Sequence, residues 1–296
     1  MHVWSKLSSA KWRDAWEERF LGLGQTNAVI QELPGGKSIR VDVYCNREKE
    51  ALAIAEQFGG RVRKVKNVNW AAMAPPSRKP IIIRDQLLVT GEADPKKIAQ
   101  LASMHPARQI LSIPAELAFG TGDHATTTTC LRLIADIAKS HRKKNYAWSL
   151  LDAGTGTGLL AIAASRLGAG TVEGFDFDPT AVGVARRNLK RNKARSINIY
   201  EADLFEWNSG KTQWDVITAN LFADVLTPNM TKLYDALLPG GNLILSGILL
   251  EHKDQVLDAA QATGLPEPTT LQKGKWTTLH YCKANSITDG AQASQL

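Results

Sequence analysis

The sequence predicts an α/β protein, a doubly wound and mostly parallel sheet preceded by a small α+β domain. Three observations predict it. From about residue 111 onward, apolar runs of strand length alternate with stretches of helical spacing, the order that builds parallel sheets from βα units. Residues 151–158 read Leu-Asp-Ala-Gly-Thr-Gly-Thr-Gly, a turn in which glycine lets the backbone approach a ligand. One β–α–β step later, Phe175-Asp176-Phe177-Asp178-Pro179 ends a second strand in an acid. In nucleoside-binding folds an acid at that place bonds a ribose hydroxyl.

In order, His2 to Leu7 reads as a short strand. Ser9 to Phe20 reads as a helix carrying Trp12, Trp16 and Phe20 on one face, at the spacing of core positions rather than of a ligand cage. Thr26 to Leu33 and Lys37 to Cys45 flank the hairpin signal Pro34-Gly35-Gly36. Arg47 to Phe58 is helical and stops at Gly59-Gly60, and Arg61 to Val68 closes the domain as a strand. The order β-α-β-β-α-β is the ferredoxin-like split, so residues 1–68 are expected to form a ferredoxin-like domain with no chemistry of its own.

Residues 69–110 read as a linker. Ala74-Pro75-Pro76 breaks any helix, short strands cover Ile81 to Ile83 and Leu87 to Val89, and Asp94-Pro95 starts a helix to Met104. The second domain, residues 111–283, is expected to hold helices 126–139, 158–167, 179–192, 223–237 and 251–262. Its strands are expected at 148–151, 171–175, 196–200, 214–219, 242–247 and 275–282. The pattern is Rossmann-like. Residues 284–296 are small and polar and read as a disordered tail.

Composition bounds the function. The chain has 296 residues, a net charge of +7, 44% hydrophobic and 22% charged residues, ordinary for a soluble globular protein. No apolar run reaches the ~18–20 residues of a membrane span, and the N-terminus lacks the pattern of a signal peptide. Cys45, Cys130 and Cys282 are far apart, which argues against a disulfide framework and against a zinc site and points to a reducing compartment. A cytoplasmic monomer with no metal and no membrane partner is expected. The basic surface suits an acidic neighbour such as RNA. Its densest runs, residues 61–66, 141–144 and 186–191, read more simply as solvated faces.

Which nucleoside binds is indicated by spacing. A pyrophosphate cofactor asks for G-x-G-x-x-G. Here Gly154, Gly156 and Gly158 alternate after Asp152, a form that resembles motif I of class I S-adenosylmethionine methyltransferases. An NAD-type oxidoreductase and a non-catalytic nucleotide-binding domain stand as alternatives. Upstream, residues 118–127 read Ala-Phe-Gly-Thr-Gly-Asp-His-Ala-Thr-Thr, rich in small donors and acceptors able to hold the methionine portion of the cofactor. Thr126 also suits a helix cap. His124 beside a glycine turn reads as a hydrogen-bonding scaffold rather than a base.

Phe119-Gly-Thr-Gly-Asp-His-Ala-Thr-Thr127, with Asp152 to Ala164, Gly174 to Pro179, Ala219-Asn220-Leu221, Ser246 to Leu249 and Lys275-Trp276, resembles the bacterial PrmA family, which methylates ribosomal protein L11. The resemblance covers residues 111–283 well and residues 1–90 weakly, as a small α/β domain plus linker. It implies S-adenosylmethionine as cofactor and L11 as partner, with cofactor contacts at Thr127, Gly154, Asp176 and Asn220. Gly156 joins them as part of the glycine turn. Asp123, Ala125 and Phe222-Ala223-Asp224 depart from the family pattern, which bears on the substrate more than on the cofactor. Asn220 is the catalytic candidate: its carbonyl oxygen suits a target amine, although a bond to cofactor or backbone alone is equally open. Phe119, Leu221 and Phe222 suit the walls of a lysine channel or plain core. Another protein lysine, a small amine, or a non-catalytic ribosome-associated factor are the competing readings.

Overall fold

The computed structural model describes residues 2–13, 16, 20, 28–45, 47–64, 79–114, 122, 124–194 and 196–285. The chain divides into two units, Met1–Ser77 and Arg78–Leu296.

In the first unit β1 (His2–Ser9), β2 (Ala28–Glu32), β3 (Ser38–Cys45) and β4 (Arg61–Lys64) form a sheet of order β2-β3-β1-β4, with every pair antiparallel. Gly35 and Gly36 take positive φ (97° and 67°) in the turn between β2 and β3, as the Pro-Gly-Gly signal requires. Helix α1 (Glu48–Phe58) ends at Gly59, whose carbonyl accepts from Trp4 Nε1 at 2.6 Å. Trp4, Phe20, Ile39, Val41, Val43 and Ile54 form the core, and Trp4, Trp16, Phe20 and Phe58 pack ring against ring. The expectation that Trp12 shares this core is corrected: it is 53% exposed. Residues Ala10–Trp12 are a 3-10 helix. Part of the helix expected at 9–20, part of the strand expected at 61–68 and residues 65–78 lie outside the described residues.

The second unit starts earlier than expected. Strands β5 (Ile81–Ile83), β6 (Leu87–Thr90) and β7 (Gln109–Ser112) make a three-stranded sheet, with α2 (Pro95–Met104) between β6 and β7. Asp94 caps α2 by accepting from Lys96 N at 2.9 Å, with Pro95 at its first position, as read from the sequence. The linker reading of 78–110 gives way here. Ile83, Leu87, Val89 and Leu111 are buried in one cluster with Leu131 and Ile134. Such short strands carry little periodicity, and the parallel pairing of β6 with β7 is not a local signal.

The main sheet has seven strands: β8 (Ser149–Ala153), β9 (Thr171–Asp176), β10 (Ile197–Glu201), β11 (Trp214–Asn220), β12 (Leu237–Leu249), β13 (Thr269–Lys273) and β14 (Trp276–Cys282). Their order is β10-β9-β8-β11-β12-β14-β13, parallel from β10 to β12, with β14 inserted antiparallel. Successive residues point to opposite faces. Leu150, Val216 and Ile244 join α3 (Ala125–Lys143), α4 (Leu159–Arg166) and α5 (Pro179–Arg191) in one core. Leu151, Ile217 and Leu245 join α6 (Ala223–Leu226), α7 (Met230–Asp235) and α8 (Lys253–Ala262) in the other. The helix expected over 223–237 is broken by a 3-10 turn, Thr227–Asn229, because Pro228 has no N–H to continue it. Strand β12 starts five residues before the expected 242, and β13 was not foreseen, since all its residues are exposed and show no alternation. Among the described residues no helix is long and apolar enough to cross a membrane.

Candidate active site

Sheet order reverses direction between β8 and β11, and in open α/β sheets ligands bind outside the carboxyl ends of the strands at such a switch point. Three segments reach this edge: the glycine turn after β8, the end of β9 and the end of β11. The N–H groups of Gly154 and Thr155 donate to Phe175 O, both at 2.9 Å, which seats the turn on β9. Gly154 has φ +72°, and a Cβ built there would lie 2.4 Å from Leu221 Cδ2. The position therefore favours glycine, since any side chain meets a left-handed backbone and displaces Leu221. Gly158 stands in the left-handed conformation (φ 78°) just before α4, so the free N–H groups of that helix face the same edge.

Asp176 ends β9 at 8% exposure. Its Oδ2 accepts from Gly156 N at 2.9 Å and its Oδ1 from Asp178 N at 3.1 Å. Burial raises its pKa, the Asp178 and Gly156 N–H groups hold it down, and the charge of Asp178 raises it further. A carboxylate has about four lone-pair positions, so accepting capacity remains for an incoming hydroxyl. Gly156 N–H is the backbone donor that aims Asp176.

In the sequence Asp152 is only the acid before the glycines. It is 1% exposed. Its two oxygens accept from the hydroxyls of Thr155 and Thr218, each at 2.7 Å. Burial pushes its pKa up to about 6, against the lowering pull of both hydroxyls. Asp152 thus braces the glycine turn to β11. Thr218 escaped sequence reasoning because only the parallel pairing of β8 with β11 brings it opposite Asp152.

Thr127 is 1% exposed in the first turn of α3. Asn220, the last residue of β11, donates from Nδ2 to Thr127 Oγ1 at 3.4 Å. Its Oδ1 is buried without a hydrogen-bond partner among the described residues, and such an orphan asks for a donor from a ligand. The structure therefore brings Thr127 to Asn220, and Gly154 and Gly156 to Asp176. His124 is a scaffold as expected: it caps α3, its Nδ1 accepting from Thr126 N at 3.4 Å and lying 2.7 Å from Thr126 Oγ1. Phe119, Gly120, Thr121 and Asp123 lie outside the described residues. Exposed rings follow three strand ends, Phe177 (71%), Phe205 (51%) and Phe222 (39%); of these only Phe222 is a channel-wall candidate from the sequence.

The basic runs are not uniformly solvated. Arg186 donates to Ile199 O at 3.1 and 2.7 Å through Nε and Nη2, and Arg191 to Asn188 Oδ1 at 2.7 Å.

A seven-stranded sheet with this order, an antiparallel β14 and a glycine turn answered by an acid on β9 is the Rossmann-like fold of class I methyltransferases. The model of the ribosomal protein L11 methyltransferase (PrmA) family matches residues 22–284, and the chain belongs to that family. A ribosomal protein L11 methyltransferase of Agrobacterium fabrum is 33% identical over 243 residues, 80% of each chain. One of Geobacter metallireducens is 39% identical over 181 residues, 60% of this chain and 56% of that one. With respect to that relative the chain spans little more than half the length. The solved structure of a ribosomal protein L11 methylase from Lactobacillus delbrueckii subsp. bulgaricus superposes with a TM-score of 0.52 at 26% identity, covering 60% of this chain and 86% of that one.

Proposed function

We propose that this protein transfers methyl groups from S-adenosylmethionine to amines of ribosomal protein L11, on lysine side chains and at the N-terminus. The observation that carries the reading is the orphaned Oδ1 of Asn220, at the same sheet edge as the glycine turn and Asp176. The residues present fit the cofactor. Asp176 keeps lone pairs for ribose hydroxyls, the turn at Gly154 leaves room where a side chain would intrude, and Thr127 with the first N–H groups of α3 suits the methionine end.

The bound cofactor supplies a methyl group already activated by its sulfonium, so the protein has to place the acceptor rather than generate a reactive group. A lysine ammonium has no lone pair. An apolar channel disfavours its charge and promotes release of the proton to solvent. Asn220 Oδ1 then accepts a hydrogen bond from the neutral amine and orients its lone pair, while Thr127 holds the amide through Nδ2. Leu221 and Phe222 suit the walls of that channel. The whole enzyme is taken to work as a cytoplasmic monomer. Exposed Arg61, Arg63 and Lys64 on the edge strand β4 support a weak contact with ribosomal RNA.

The test is transfer of labelled methyl from S-adenosylmethionine to purified L11 by the full chain. Asn220→Ala is expected to lower kcat by about 100-fold, the usual loss for one orienting group, with S-adenosylhomocysteine affinity changed less than about threefold. Cofactor binding without transfer to L11 would remove the substrate assignment and favour another protein amine. That second reading draws on the 181-residue match, which leaves two fifths of this chain uncovered.

A further inference from the structure

Trp276 opens β14, where it pairs with Leu249 of β12 and with Lys273 of β13. It is only 8% exposed. Its ring meets the His124 imidazole nearly edge-on, with centroids 4.9 Å apart and planes at 74°, the geometry aromatic pairs favour. His124 in turn governs the start of α3. Its side chain caps Thr126, and its carbonyl accepts from Thr128 N at 3.0 Å and from the Thr128 hydroxyl at 3.1 Å. That hydroxyl also reaches Gly122 O at 2.9 Å. Gly122, at φ +94°, leaves no spare room: a Cβ there would lie 3.1 Å from both Val89 and Leu159.

The first turn of α3 is thus pinned on one side by Gly122 against β6 and α4, and on the other by the ring of Trp276. Between them sits Thr127, whose hydroxyl takes the Asn220 amide at 3.4 Å. That distance is at the long end of a hydrogen bond, and a few tenths of an ångström more would lose it. Asn220 orientation therefore depends on where the helix start is held.

We propose that Trp276 is a positioning residue for methyl transfer: through His124 it fixes the first turn of α3, and with it Thr127 and the orientation of Asn220. The proposal rests on the function given above and goes beyond it by assigning a role to a residue on a different strand.

Kinetics of the full chain with L11 and S-adenosylmethionine test it. Trp276→Leu is expected to lower kcat about tenfold with the KM for L11 within about twofold, as misplacement of an orienting group does. Trp276→Phe, which keeps a ring edge, should recover to within about threefold of the native rate. His124→Asn keeps a capping acceptor and loses the ring contact, so it should match Trp276→Leu. Residues acting as one unit are non-additive, so W276L/H124N should be no slower than the slower single variant. A native rate in Trp276→Leu, or losses that multiply in the double variant, would overturn the proposal. If Trp276→Leu unfolds, Trp276→Phe and His124→Asn carry the same comparison. Failure of the native chain to methylate L11 would be a failure of the function reading and not of the clamp. The clamp is then read from the ring signals of labelled His124, which Trp276→Leu should shift, and unchanged signals would refute it.

Discussion

Gly154 and Asp152 show how much one residue decides. Gly154→Ala meets two penalties, a left-handed backbone at φ +72° and a contact 2.4 Å from Leu221 Cδ2. The backbone alone costs about 1 kcal/mol, and the clash forces the turn or Leu221 to move. Urea unfolding should show a loss of about 1–3 kcal/mol, and calorimetry a drop in S-adenosylhomocysteine affinity of at least about tenfold. Adding Leu221→Ala should relieve the clash and leave the backbone cost. Asp152 carries a different penalty. Its pKa in the fold, about 6, lies above the ordinary aspartate value of 3.8, so the folded state binds the extra proton between these values. Stability contributed by this group is full below pH 4, falls as the pH rises to about 6 and stays low above it, by on the order of 3 kcal/mol. Asp152→Asn should therefore melt above the native protein at pH 8, and the gain should shrink toward pH 4. A gain that grows on acidification would contradict the assignment.

Elements were legible where their ends carry local chemistry. Asp94-Pro95 marked the start of α2, and Gly59 the end of α1, since caps and stops act within a turn of the chain. Asp178 does the same for α5, accepting from Thr180 N at 2.8 Å. Asp178→Ala should cost about 1 kcal/mol by thermal unfolding. Its own N–H still serves Asp176 after the change, so cofactor affinity at pH 8 should hold within about twofold. The loss of a neighbouring negative charge lowers the Asp176 pKa, since Asp178 raises it. Cofactor binding should then survive to lower pH than in the native protein, which a pH series of binding isotherms would check. Illegible elements were those with no periodicity of their own. Strand β13 is exposed throughout and exists because β14 offers it a partner, whereas the break after α6 carries a local signal in Pro228 that the single helix expected over 223–237 passed over.

Across the whole molecule, two units hold separate cores. Trp4, Phe20 and Ile54 belong to the first, and the two faces of the seven-stranded sheet to the second. Trp4→Ala empties the centre of the first core and should destabilise that unit by about 3–5 kcal/mol. If the glycine turn and Asp176 hold the cofactor by themselves, S-adenosylhomocysteine affinity should stay within about twofold. Transfer to L11 should fall in parallel if the first unit recognises the substrate. Loss of cofactor affinity together with Trp4 would show that the units fold as one.

The sequence alone determined the alternation of strands and helices, the glycine turn and the acid one β–α–β step later, because hydrophobic period and backbone freedom are properties of neighbouring residues. It also singled out Asn220, but as a motif position without a geometry. Only the tertiary structure decided that Asn220 leaves an oxygen unpaired beside Thr127, that Asp152 is a brace between Thr155 and Thr218, and that Trp276 sits on His124. Apart from the Thr155 hydroxyl, three positions from Asp152, the partners lie 66 positions or more apart. Long-range pairing in the mixed sheet brings them together, and no local pattern encodes which partners meet.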